Sequence, residues 1–190
     1  MSQQAWRKLG QMLKGGPMKP LLVALALLAT SPALAGYDKT AWGMKLPEVQ
    51  HLYPGGAVST HPNGDTQYTV LRSVAGINSA LVHFTFSGGR GLSSVMIFVP
   101  RQGSKVEATA STFEFPTKRD AAEIRAILAS ALEAKYGAPT LRAGSDLPAW
   151  LIREDLIMLH YAVQPDDERV SVGVSYSPSF DQGRPKTEGL

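Results

Sequence analysis

The sequence predicts an α+β domain, an antiparallel β-sheet with two helices packed on one face. Three observations lead there. Apolar and polar residues alternate through 57–100 and again through 149–176, the period of strands with one buried face. Between these stretches, residues 118–136 place apolar side chains three and four apart, the period of a helix packed on one side. The strand segments are joined by short turn sequences, which pairs neighbours antiparallel.

Taken in chain order, residues 1–35 read as a signal peptide. A basic stretch (Arg7, Lys8, Lys14, Lys19) without Asp or Glu precedes an apolar run over 21–29. Thr30, Ser31 and Pro32 follow, and then Ala33-Leu34-Ala35, the small-x-small pattern that signal peptidase accepts. Cleavage is expected before Gly36. Pro32 closes the apolar run well short of the roughly 20 residues that a spanning helix needs, which argues against a stable membrane anchor. Met18 is an alternative start, since Met18-Lys19-Pro20 and the run behind it already make a compact signal peptide.

The mature segment opens with Gly36-Tyr37-Asp38. A short helix is expected at about 46–53, with Pro47 at a first-turn position where its missing N–H costs nothing. Val49, Leu52 and Tyr53 form its apolar stripe, and Pro54-Gly55-Gly56 ends it. His61-Pro62-Asn63-Gly64-Asp65 is a turn. Strands follow over 66–74, with Arg72 interrupting the apolar face, over 79–86, and over 92–99. The Ser87-Gly88-Gly89-Arg90-Gly91 segment between the last two reads as a hairpin turn; phosphate-binding loops enter a helix, and here a strand follows.

Residues 100–116 are rich in Ala, Ser and Thr and read as a long loop with some strand character, a candidate contact region because loops of this length are often functional. The long helix spans about 118–136. Thr117 is its N-cap, Asp120 lies near the positive end of its dipole, and Ile124, Ile127, Leu128, Ala131, Leu132 and Tyr136 share one face. Gly137 suits the residue after its end, and Pro139 prevents continuation. Strands are expected over 149–153, 156–163 and 170–176, with Asp166-Asp167-Glu168 in the last turn. The domain therefore covers 36–177, and 178–190 read as a flexible tail. Both halves also run from a helix through Tyr, Gly and Pro into strands (Leu52-Tyr53-Pro54-Gly55; Lys135-Tyr136-Gly137-Ala138-Pro139). A helix-and-strand unit covers its apolar face poorly alone, and two sharing a sheet do it better.

The charge balance depends on the leader. The whole chain carries +3, with 19 Lys and Arg against 16 Asp and Glu. Four of those cations lie in 1–35, so the 155-residue mature segment holds 15 against 16 and is net −1. That removes the electrostatic case for nucleic acid as a partner. The absence of Cys excludes a lipid-anchor thioether, a disulfide framework and a thiolate metal site. A periplasmic location is expected, with secretion as the alternative.

No catalytic set is assembled in the sequence. The nucleophile-elbow pattern is absent; the nearest string, Gly173-Val174-Ser175-Tyr176-Ser177, lacks the second Gly and lies inside a strand. His51, His61, His83 and His160 are the nitrogen ligands on offer, but no pair has a spacing that sets two imidazoles together, so neither a metal nor another cofactor is expected. His83 and His160, on separate strands, remain the pair that could converge across a sheet.

The segment Trp42-Gly43-Met44-x-x-Pro47-Glu48-Val49, with Lys135-Tyr136-Gly137-Ala138-Pro139, Trp150 and a closing strand through Ser175-Tyr176, resembles small exported bacterial α+β domains of uncharacterised function. At fold level it is similar to the helix-and-sheet units of β-lactamase inhibitor proteins and of small outer-membrane assembly accessory proteins, though it lacks the lipid-anchor Cys of the latter. The resemblance implies binding and carries no chemistry.

The expectation for function is a non-enzymatic periplasmic binding or accessory protein that contacts another envelope protein. The candidate protein-binding patch is Tyr37, Trp42, Tyr53, Trp150, Phe113 and Phe115, because aromatic side chains dominate binding hot spots; for Trp42 and Trp150 residue frequencies favour core packing, and the patch requires that one of them be exposed beside Tyr37, Tyr53 or the 100–116 loop. The alternatives are a metal-binding or hydrolytic enzyme whose residues converge only in three dimensions, and an inhibitor of an exported enzyme.

Overall fold

The computed structural model describes residues 36–109, 113–143, 147–163 and 169–179, with the backbone alone for 141–143. The signal peptide, the Asp166-Asp167-Glu168 turn and all but the first two residues of the expected tail lie outside the described residues. Two helices and eight strands occur among those described: α1 Leu46–Leu52, β1 Ala57–Thr60, β2 Thr66–Val74, β3 Ile77–Phe86, β4 Leu92–Phe98, α2 Lys118–Tyr136, β5 Leu141–Ala143, β6 Leu147–Ile152, β7 Asp155–Val163 and β8 Val170–Pro178.

All eight strands form one antiparallel sheet in the order β1-β2-β3-β4-β8-β7-β6-β5. Each half of the chain is thus a helix followed by a four-stranded meander, and the last strands of the two meanders pair at the centre. The echo between the halves in the sequence corresponds to this arrangement.

Period-two burial gives the sheet two unlike faces. One row crosses six strands in register, Tyr68, Phe84, Val95, Tyr176, Ile157 and Trp150, and every member is buried. On this face α2 packs over β6, β7 and β8 through Ala121, Ile124, Leu128 and Leu132. The shorter α1 reaches the same core through Val49, and Tyr53 just beyond it lies 4.9 Å from the Phe84 ring. One residue along each strand, the neighbouring row reads Thr69, His83, Met96, Ser175, Met158 and Ala149. No helix covers this second face among the described residues.

Local sequence accounts for the ends of α2. The Thr117 hydroxyl accepts from the Asp120 N–H, and Gly137, at φ 81°, donates its N–H to the Glu133 carbonyl. Arg72 breaks the strand pattern for a physical reason: the β2–β3 register shifts between Arg72 and Val74, and the guanidinium lies over the Tyr53 ring at 5.5 Å.

The strand boundaries differ from expectation in both halves. β1 and β5 are additional strands, and β3 and β6 start at Ile77 and Leu147, each two residues early. The 100–116 segment forms no strand among its described residues. Its ends are closed by the Arg101 N–H donating to the Glu114 carbonyl at 2.7 Å and by an exposed ion pair between the same two side chains.

Candidate functional site

The helix-free face carries the polar residues that the alternation of β2 and β3 sends away from the core. His83 stands there opposite Thr69, and its Nδ1 lies 2.9 Å from the Thr69 hydroxyl. The edge of Phe98 meets the imidazole at a centroid distance of 5.3 Å. Phe98 in turn touches Phe113, which touches Phe115, so residues 113–115 lie against this side of the sheet through aromatic contacts. His83 Nε2 is buried and has no hydrogen-bond partner among the described residues. Burial holds the ring neutral, lowering its pKa from 6.5 to about 4, and the charge of nearby His61 pushes the same way.

A cavity of about 390 Å³ opens beside this cluster. All four residues of β1 border it, together with Thr69, His83 and Phe113. β1 is the outermost strand at its end of the sheet, so the cavity runs along an edge. His61, held by Gln67 through a 2.9 Å contact, closes one end. Among the described residues no Lys, Arg, Asp or Glu lines it. The wall therefore offers hydroxyls, an amide, imidazoles and one phenyl ring, a neutral mixture of apolar surface and hydrogen-bonding groups within the volume range of ligand sites.

The structure separates the aromatic residues expected to form one patch. Trp150 and Tyr53 are core residues, 0% and 6% exposed. Tyr37 packs edge-on against Tyr176 and also against Phe84, on the helix-covered face. Trp42 is half-buried and donates its indole N–H to Asp155. Phe113 and Phe115 alone lie on the other face, where Phe113 borders the cavity. The first four pack in or around the core row, Trp150 through its strand register and the others through the segments flanking α1, and the loop pair sits on the opposite side of the sheet.

His83 and His160 share the helix-free face but do not converge. Three strand spacings of about 4.8 Å separate β3 from β7, and His160 is two residues further along, so roughly 15 Å lies between them. A shared zinc, with nitrogen ligands near 2 Å, is excluded by that distance. Among the described residues, no group of three or more His, Asp or Glu could hold a metal ion.

His160 instead meets Ser175, with Nε2 2.5 Å from the hydroxyl. Burial lowers the pKa of His160. A Ser–His contact invites a hydrolytic reading, and the surroundings oppose it. No carboxylate orients His160 among the described residues, and Ser175 lies inside β8, paired on both sides by β4 and β7, so strand partners occupy the backbone amides that would serve an oxyanion.

Sequence reasoning missed the cavity, since it depends on the pairing of Thr69 with His83 and on the return of Phe113, both long-range facts. The short segment between Gly56 and the His61-Pro62 turn was the one available signal of an edge strand.

Among the described residues no helix is long and apolar enough to cross a membrane. Comparison of the chain with protein-family models, curated proteins and solved structures found no match.

Proposed function

We propose that the protein is an exported, non-enzymatic binding domain that receives an extended, uncharged segment of another envelope protein along β1. The observation that carries this reading is the placement of a neutral cavity along the whole of an edge strand. An edge presents backbone N–H and C=O groups to a further strand, which supplies affinity with little demand on sequence. The adjoining cavity then receives one side chain and supplies the selectivity. A charged side chain would enter it without a counter-charge, which disfavours acidic and basic segments.

The test is capture from an envelope fraction with the wild type and two variants in parallel. Val58→Lys places a charge on an exposed position of β1, and Phe113→Ala opens the cavity wall without touching the core row. Both are expected to lose the partner that the wild type retains while keeping wild-type circular dichroism. Retention of that partner by both variants rules out β1 as the docking edge. Turnover of a hydrolase substrate by the purified protein rules out the non-enzymatic reading.

A further inference from the structure

Gly36 occupies a built position at the very point where the sequence expects the leader to be cut. Its backbone N–H donates to Asp155 Oδ2 at 3.1 Å, and the indole N–H of Trp42 donates to the other oxygen of that carboxylate at 2.6 Å. Asp155 opens β7, at the end of the helix-covered face, and is half-buried. The segment bearing Gly36 folds into a hydrogen-bonded turn. Thr40 is wholly buried; its hydroxyl accepts from the Tyr37 N–H and donates to the Tyr37 carbonyl, and its own N–H donates to the same carbonyl.

Glycine suits the position on steric grounds that outlast the cut: a Cβ there would lie 2.5 Å from the Thr40 carbonyl oxygen. The nitrogen of residue 36 is thus delivered to Asp155 by a turn with no room for a Cβ.

We infer that Asp155 is the receptor for a new N-terminus: cleavage between Ala35 and Gly36 turns the Gly36 nitrogen into an α-ammonium that Asp155 holds as an ion pair. The inference rests on the export reading, which supplies the cut. In the hydrolysis, catalysed by an envelope signal peptidase, water adds across the peptide C–N bond. The acyl carbon of Ala35 leaves with the leader as a carboxylate, and the Gly36 nitrogen gains the protons that make it an ammonium. A neutral donor on a carboxylate becomes a positively charged one, so the attraction between opposite charges is added to a hydrogen bond already in place. Removing the leader therefore tightens the fold at the junction of the N-terminal segment and β7, where the precursor has the neutral N–H of Gly36 beside the Trp42 indole.

Two chains test this, released from a fusion so that one begins at Gly36 and the other at Pro32, where the nitrogen of residue 36 remains an amide. Each is compared with its Asp155→Asn counterpart by urea unfolding at pH 6.5, where an α-ammonium is protonated. The Gly36 chain is expected to have an unfolding constant up to about fivefold smaller than the Pro32 chain, the margin of a partly exposed ion pair, and Asp155→Asn, whose neutral amide oxygen still accepts a hydrogen bond, is expected to shrink that difference. Trp42→Phe, which removes the other hydrogen bond to the same carboxylate, should weaken both chains and retain a difference between them. Equal stability of the two wild-type chains, or a difference that Asp155→Asn leaves undiminished, overturns the ion pair. Intact mass of the protein recovered from the envelope tests the cut separately: a first residue other than Gly36 overturns the cleavage and leaves the unfolding comparison to report on Asp155 by itself.

Discussion

Trp150 donates its indole N–H to the carbonyl of Gly137 at 2.8 Å, tying the middle of β6 to the residue that ends α2. Trp150 is the largest of the fully buried side chains, so its one polar atom needs a partner, and the helix terminus needs one for its last carbonyls. Trp150→Phe keeps most of the ring volume and leaves that carbonyl without its donor. The expected loss is about 1–3 kcal/mol, read as a lower urea midpoint at unchanged slope.

Tyr68 performs a comparable task for α1. Its buried hydroxyl donates to the Tyr53 carbonyl at the end of that helix and accepts from the Gly56 N–H at 2.9 Å. Tyr68→Phe removes both bonds at once while the ring stays in the core row. A loss of about 2 kcal/mol is expected, with hydrogen exchange accelerated at Gly56 before it is accelerated in β3.

His83 makes stability fall in mild acid. Its folded pKa is lowered from 6.5 to about 4 by burial, so the unfolded chain binds the proton first. The contribution is fully present above pH 6.5 and is lost progressively as pH falls toward 4, about 3 kcal/mol over the window. Unfolding midpoints measured from pH 7.5 to 4.5 should decline, and His83→Gln should flatten the decline. His160, shifted in the same direction, supplies the residual slope.

Gly91 lies where the β3–β4 turn touches the segment before α1. Leu92 accepts from the Gly43 N–H and donates to the Met44 carbonyl, and a Cβ on Gly91, at φ 93°, would lie 2.1 Å from the Gly43 carbonyl oxygen. Gly91→Ala is therefore expected to cost about 2 kcal/mol or more, through strain and loss of this strap. Gly88→Ala is the control: it shares a positive φ but has nothing within 4 Å, and a thermal melt should show the smaller shift for it.

What the sequence made legible follows the range of the forces involved. The α2 boundaries were readable to the residue because Thr117 and Gly137 act on backbone groups three and four positions away. β2 was readable because its turn residues and its alternation are equally local. β5 and the start of β6 were hidden, since Arg142 and Pro148 give no alternation and the strand status of these residues comes from pairing with each other. The aromatic residues show the same limit. Trp150 and Phe113 are alike as sequence signals; strand register sends one into the core, and the path of a loop brings the other against Phe98 at the rim of a cavity.

The central pairing of β4 with β8 has a consequence for how the chain reaches its native state. Every other strand pairing joins sequence neighbours, whereas this one brings Phe98 to Gly173 and Val95 to Tyr176. Each meander can form from local hairpins, but the seam closes a long loop, an entropic cost met before its contacts give any return. The seam should accordingly zip last and limit the folding rate. A chain opened in the 100–116 connection would leave two fragments, each a helix with its own meander. Their rate of association would report the strength of the seam directly.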